Sequence, residues 1–367
     1  MVDRGTLSRK RVVATMLLEE PDMVPLDEEL WGLTFENILK LKDKNDENSY
    51  IRQLIRVRKE ALDLDIVGTS DPDSGVMACL MPYGFRDDIV QETGGRIIFR
   101  DPNGIVWIHP SYGEETVLDH PIKTYDQLDS FEFATPDIVV RYNVYKERIE
   151  KLRDYFFIMG EVMTPFELAY RLRGHERLLK DFYLNPRFLR ELFERCHRYI
   201  MDVVEILLEM QVDGIIFYGD IAYNKGPMIS PKHHRELLLP LLRKEVSYCR
   251  NRGVLTRFHS DGNITPLIPQ LIEAGFNAID PLEQRAGMDL SFIKREFGDR
   301  LCLVGGVDIR LLINGSSEDV VEAVKRCISE AAPGGGYILH SSGSIGPDVP
   351  LENLFTMVKV ARKYGRY

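Results

Sequence analysis

The sequence has no apolar run approaching the roughly 20 residues that span a bilayer, which excludes a transmembrane helix. It is short of cysteine, with five at positions 79, 196, 249, 302 and 327, widely spaced and without a CxxC pair. That pattern excludes a disulfide framework and a cysteine-rich zinc cluster, and it suits thiols in a reducing compartment. Basic residues are in the minority, 47 Lys and Arg against 57 Asp and Glu for a net charge of −10. Such a balance argues against a nucleic-acid binder and against attachment to an anionic membrane surface. Low-complexity tracts, fixed-period repeats and linker-like stretches are missing, as are the GxSxG and Cys–His patterns of nucleophilic enzymes. The basic stretch 4–11 leads into a short apolar run, 12–18, which contains Thr15, lacks a small-residue cleavage site and ends in Glu19-Glu20-Pro21-Asp22. No signal peptide is expected from it, and a cytoplasmic location is.

What is present is a 367-residue chain, 44% apolar and 28% charged, an ordinary globular composition. The length suits two domains or one large α/β barrel. Strand-like runs at 156–162, 214–218, 254–258, 277–279, 301–304 and 337–339 alternate with helical spacing at 186–210, 231–250, 265–273, 290–297, 317–331 and 351–363. Gly275 reads as a helix stop, and Ser317 with Glu318 and Asp319 as a helix N-cap. Six β/α units in a row imply parallel strands with crossover helices, in an open doubly wound sheet or a barrel. Residues 64–67 add one more strand. Residues 96–109 read as a β-hairpin turning at Asp101-Pro-Asn-Gly104, an insertion over the barrel mouth. Nothing divides the chain, so a single domain over 1–367 is expected, with a helical lead-in at 1–60.

The residues that follow each strand carry the chemistry. Tyr218-Gly219-Asp220, His259-Ser-Asp261-Gly262-Asn263, Asp280-Pro-Leu-Glu283, Gly305-Gly306-Val307-Asp308 and His340-Ser341-Ser342-Gly343-Ser344 all stand at C-terminal strand ends. In a barrel those ends converge on one mouth, where active sites lie. One Asp after a strand is commonly a helix cap; five successive polar strand ends are not explained by capping alone. His259 and Asp261, two apart, reach one ligand from an extended strand. The pair suits a divalent ion, zinc in particular, with a third ligand from Glu161, Asp220, Glu283 or His340. A metal-free acid–base or binding role is the alternative, and an interior histidine beside a capping aspartate the simplest one. Gly334-Gly335-Gly336 follows a helix and precedes a strand, the reverse of a phosphate-cradling order, so it reads as a loop. Ser341 to Ser344 suits a carboxylate or phosphate site or a polar loop. His233-His234 reads as a solvated pair on a helix, and Cys302 and Cys327 as core.

Several segments, in order, resemble the uroporphyrinogen decarboxylase superfamily: Glu20-Pro-Asp-Met-Val-Pro25, Gly226-Pro-Met-Ile-Ser-Pro-Lys232, His259-Ser-Asp-Gly-Asn263, Asp280-Pro-Leu-Glu-Gln-Arg-Ala-Gly-Met-Asp289, Leu303-Val-Gly-Gly-Val-Asp308 and Val349-Pro-Leu-Glu-Asn353. The resemblance covers most of the chain and implies an α/β fold, a TIM-type (β/α)8 barrel. True decarboxylases of the superfamily bind their substrate's acid groups through an N-terminal Arg-Gln-Ala-Gly-Arg motif. The corresponding region here is Pro25-Leu-Asp-Glu-Glu-Leu-Trp31, acidic, and the C-terminal Gly-His-Gly of that branch is replaced by Ser342-Gly-Ser344. Tyr170 resembles a decarboxylase active-site tyrosine. The other branch moves methyl groups to or from a corrinoid protein, and its zinc-dependent members carry His-x-Cys and a later Cys. His259 matches the first position, Asp261 stands where the first Cys would be, and Gly343 or Ser344 near the second.

The resemblance therefore implies a methyltransferase passing a methyl group from a small donor, a methoxylated aromatic or similar methyl ether, to the Co(I) corrinoid of a partner protein. Glu161, Asp220, His259 and Asp261 are the candidate catalytic residues, His259 and Asp261 the metal ligands. Tyr170, Tyr218, Glu283, His340 and Ser341 are candidate substrate contacts, with aromatic lining from Trp31, Tyr83, Phe166, Tyr218 and Tyr223. Decarboxylation of a tetrapyrrole or related acid is the alternative, and a non-catalytic binding barrel the second. A homodimer is compatible with either enzyme.

Overall fold

Strands buried on both faces read as near-continuous apolar runs, and that is how the parallel strands of this chain announce themselves. The computed structural model describes residues 4–30, 34, 37–38, 55–68, 88–93, 96–109, 116–135, 146–147 and 149–367. Helix α1 (Arg4–Met16) precedes β1 (Ile66–Gly68), then β2 (Asp88–Thr93), β3 (Arg96–Arg100), β4 (Val106–His109), β5 (Thr116–Asp119) and β6 (Phe157–Met163). After β6 come α2 (Pro165–Arg173), α3 (His175–Leu184), α4 (Pro186–Glu209), β7 (Gly214–Tyr218) and the short pair β8 (Ala222–Tyr223) and β9 (Gly226–Pro227). The rest alternates: α5 (Leu239–Arg250), β10 (Leu255–His259), α6 (Ile268–Ala274), β11 (Ala278–Leu282), α7 (Leu290–Phe297), β12 (Cys302–Val307), α8 (Ile309–Asn314), α9 (Ser317–Ala331), β13 (Tyr337–Ser341) and α10 (Leu351–Tyr364). Trp31, Tyr83 and Cys79 lie outside the described residues, as does part of the 1–60 lead-in. No described helix is long and apolar enough to cross a membrane.

Seven parallel strands form one sheet in the order β1-β6-β7-β10-β11-β12-β13. The segment 25–30 supplies the remaining stave. Leu26 bridges Leu339 in parallel, Leu339 N donates to Pro25 O at 3.0 Å, and Asp65 N, just before β1, donates to Leu26 O at 2.8 Å. The sheet thus returns to β1 as a TIM-type barrel. Alternate strand residues point inward. The lower interior is apolar, built from Ile66, Phe157, Met159, Ile216, Val304 and Ile338, and Val12 and Met16 of α1 pack into the same cluster. At the seam, buried Asp65 accepts from Ser8 Oγ (2.7 Å), Arg11 Nη1 (2.7 Å), Leu26 N (3.1 Å) and Arg362 Nη2 (3.1 Å), tying α1, the first stave and α10 together.

Several expectations change. The hairpin at 96–109 is the centre of a four-stranded antiparallel sheet, β2-β3-β4-β5, whose first strand was marked in the sequence by the Gly94-Gly95 dipeptide that the expectation left unused. This sheet docks on α2: buried Trp107 donates to Asp101 Oδ2 at 2.9 Å, and Arg171 lies 5.2 Å over its ring. The α9 cap is Ser316, one residue earlier than Ser317, and with Asp319 it forms a capping box. His234 is fully buried, not solvated, and its Nδ1 meets Gln270 Oε1 at 2.8 Å. His233 is half-buried against Phe182 and Tyr183. The reason is that His234 shares one stripe with buried Leu238, Leu241 and Glu245 across the π-helical turn His234–Leu238.

Glu28, on the first stave, is buried between that stave and β13. Its carboxyl takes Ser341 N at 2.8 Å and lies 2.6 Å from Ser341 Oγ, which is also 2.5 Å from Gly343 O. One hydroxyl proton cannot serve both oxygens, and a protonated Glu28 resolves the conflict by donating to Ser341 Oγ. Burial accordingly pushes the Glu28 carboxyl up to about 7, against the pull of His340 and Ser341. A carboxyl raised on folding favours the folded state below its unfolded value, and that contribution fades as pH rises from about 4.5 towards 7. We expect Glu28→Gln to flatten the loss of stability across that window in urea unfolding; an unchanged slope refutes a neutral Glu28.

Candidate functional site

Above the apolar layer the inward positions turn polar. Glu161 on β6, Tyr218 on β7, Arg257 and His259 on β10, Asp280 on β11 and His340 on β13 share the parity of the apolar residues below them on their own strands. Arg257, 4% exposed, is held by Asp280 through two bonds, Nε–Oδ1 at 2.6 Å and Nη2–Oδ2 at 2.7 Å, and by Asp27 of the first stave at 2.7 Å. The same Asp280 Oδ2 accepts from His259 Nδ1 at 2.9 Å. Burial works against ionisation of Asp280, but Arg257 and His259 outweigh it and hold the carboxylate well below its usual range.

His259 therefore points Nε2 outward at the mouth, 3.9 Å from Asp220 Oδ1 and 3.9 Å from Asp261 Oδ1. Burial opposes the charged ring; Asp280, backed by Asp220 and Asp261, overrides it and pushes the imidazole up to about 10. The Tyr218 ring lies 4.5 Å from the His259 ring and limits its swing. Burial, with Glu161, Glu29 and Asp280 nearby, raises the Tyr218 phenol far above its ordinary value, so it stays neutral.

The loops are locked from behind. Asp220 Oδ1 accepts from Asp261 N at 3.0 Å, and Glu283 Oε2 from Gly262 N at 2.5 Å. Gly262 has φ +81, and a Cβ there would lie 2.7 Å from the Tyr223 backbone, so only glycine fits between the two loops.

Asp220, His259 and Asp261 each offer one ligand atom, all within 4.8 Å of one another. Tetrahedral zinc, with bonds of about 2 Å, spaces its ligands by roughly 3.3 Å, so a small closure accommodates an ion. Nδ1 of His259 is already oriented by a carboxylate, the usual outer partner of a metal-bound imidazole. The described cysteines are all buried, so the donor set is nitrogen and carboxylate oxygen. These residues fit a borderline or hard divalent cation.

Of the residues expected from sequence, the structure brings together Asp220, His259, Asp261 and Tyr218, with Glu283 behind them. Glu161 lies deeper, in the barrel interior near Tyr218. Tyr170, on α2, senses the charges of Arg171, Glu167 and Asp220. His340 turns Nδ1 to Ser341 O, and Ser341 serves Glu28, so these two build the seam. Phe166 is core, while Tyr223 is 53% exposed at the rim. Asp308 caps α8 and pairs with Arg285. Sequence reasoning overlooked Arg257, whose signal was a cation two residues before His259 on the inward face of an otherwise apolar strand. It also overlooked Glu167, a buried carboxylate bonded to Arg171 Nε at 2.6 Å.

Residues 106–364 match the model of the family described as uroporphyrinogen decarboxylase. The uroporphyrinogen decarboxylase of Aliarcobacter butzleri is 25% identical over 267 residues, covering 69% of this chain and 74% of that protein. The methylcobamide:CoM methyltransferase of Methanosarcina barkeri is 22% identical over 207 residues, covering 56% and 58%. Among solved structures, a methyltransferase from Methanosarcina mazei shares the fold, with a TM-score of 0.73 over 97% of this chain and 98% of that one at 19% identity.

A histidine raised from 6.5 to about 10 stabilises the folded state fully below pH 6.5 and loses that contribution as pH rises towards 10. We expect His259→Gln to remove a loss on the order of 5 kcal/mol across this window, read by urea unfolding. Equal pH slopes in both proteins refute the ion pair.

Proposed function

The chain belongs to the uroporphyrinogen decarboxylase family, and from that premise we propose that it is a methyltransferase moving a methyl group from a small methyl ether, a methoxylated aromatic foremost, to a corrinoid on a partner protein. The observation that carries this reading is the charge of the mouth. An octa-acid porphyrinogen needs several free cations, yet Arg257 is saturated by Asp27 and Asp280. The rim around it presents Asp220, Asp261 and Glu283, which repel such a substrate. A neutral ether suffers no such repulsion. The fold shared with a methyltransferase and the similarity to a methylcobamide-dependent enzyme support the same branch.

Ether cleavage needs help at the departing oxygen. His259 Nε2 holds a proton at the mouth, and Asp280 and Tyr218 fix its direction, so the ring acts as general acid to the leaving group. A divalent cation held by Asp220, His259 and Asp261 would supply Lewis-acid help there instead. The corrinoid of the partner supplies the Co(I) that accepts the methyl group. Tyr170 and the exposed Tyr223 offer ring faces to an aromatic donor.

The test measures metal content of protein purified without chelator, alongside formation of methylcobalamin from Co(I) cobalamin with methoxyarenes. We expect turnover in the wild type and a loss of a hundredfold or more in His259→Ala. Near-stoichiometric zinc that disappears in the variant assigns the leaving-group help to the cation; turnover without metal assigns it to the imidazolium. Carbon dioxide release from uroporphyrinogen with no methyl transfer defeats the proposal.

A further inference from the structure

Two adjacent strand ends carry the carboxylates that face His259. Beyond β7 and β10 the chain leaves the sheet, yet the two loops continue side by side. Gly219 N donates to His259 O at 2.9 Å, and Asn263 N to Tyr223 O at 3.1 Å. Midway between these bonds lies Ser260, fully buried. Its backbone N donates to Asp280 O at 2.9 Å. Its hydroxyl accepts from Ile221 N at 3.1 Å and donates to Asp261 O at 2.9 Å. The hydroxyl uses one lone pair and its only proton to join the loop after β7, on the far side of Asp220, to the peptide of Asp261.

We propose that Ser260 is a positioning residue that sets the spacing of Asp220 and Asp261 about His259 Nε2, so that the two carboxylates converge on one cation or substrate atom. The inference rests on the reading of these three residues as the reacting site. Asp220 and Asp261 carry like charge and are about half exposed, so the placement of their backbones sets much of their spacing. Asp261 N reaches Asp220 Oδ1 across the two loops, which the Ile221 N–Ser260 Oγ bond holds together, while the same hydroxyl grips Asp261 O in the following peptide. Glu283 grips the next amide, Gly262 N, from the β11 side. Removing the hydroxyl leaves Ile221 N and Asp261 O without that partner and unties the loop that carries Asp220 from the loop that carries Asp261, with Glu283 still holding Gly262 N.

The test uses the full chain as wild type, Ser260→Ala and Ser260→Thr, the last retaining the hydroxyl. Amide hydrogen exchange is read at Ile221, Asp261 and Phe258, with zinc ion alone titrated by calorimetry. In Ser260→Ala the Asp261 amide is expected to exchange at least tenfold faster, with Phe258 on β10 unchanged, and zinc to bind 10- to 100-fold more weakly. Ser260→Thr is expected to restore Asp261 protection. Asp261 protection equal to wild type in Ser260→Ala overturns the proposal, as does acceleration shared equally by Phe258, which marks general loosening. A wild type that takes up no zinc defeats the cation reading alone, and the exchange result still decides the role of Ser260.

Discussion

A guanidinium buried inside a barrel has to be neutralised where it stands, because an uncompensated charge there costs several kcal/mol. Arg257 meets that demand with two carboxylates from opposite ends of the chain, Asp27 on the first stave and Asp280 on β11. The consequence is structural and chemical together. Asp27 is drawn across the barrel axis, which favours the closed sheet over an open one. Asp280, committed to Arg257 on both oxygens, stays ionised and still accepts from His259 Nδ1. The charge on a residue that touches no ligand thus decides which nitrogen of His259 faces the mouth.

The same arrangement explains why the mouth is acidic although an arginine lies beneath it. Inward-facing cations are the natural handles for an acidic substrate, and here the interior arginine is consumed internally. What reaches the rim is an imidazole flanked by Asp220 and Asp261. That set repels polyanions, and in the proposed reaction it would serve a step in which negative charge develops briefly on a leaving atom beside a proton or a cation.

Much of this architecture was legible in the sequence, for physical reasons. The six later β/α units declared themselves because their strands are buried on both faces and their helices carry one apolar stripe. His259 and Asp261 stood out because a spacing of two places side chains together on an extended chain, and they remain together although the strand ends at His259. The first stave was hidden, since Asp27, Glu28 and Glu29 interrupt the apolar run that marks a buried strand, and the region read only as an acidic counterpart of a basic motif. Their partners, Arg257 and Ser341, lie more than 200 residues away, and no local pattern encodes such a pairing. His234 was misjudged because two adjacent histidines on a helix suggest solvation, whereas its spacing to Leu238, Leu241 and Glu245 places it on the buried stripe.

The imidazole that faces the mouth has one free nitrogen and two claimants. Proton and cation both need the lone pair of Nε2, so each excludes the other. A ring whose proton affinity is raised to about 10 imposes, at pH 7, a roughly thousandfold penalty on any cation that must displace that proton. Yet Asp220 and Asp261, which help raise the proton's affinity, are the remaining ligands of the cation and attract a double charge more strongly than a single one. Replacing thiolates by these carboxylates weakens the grip on a soft metal while strengthening the hold on a proton. Proton and cation would each deliver positive charge to the same point, which in the proposed reaction is the leaving atom of a neutral methyl donor.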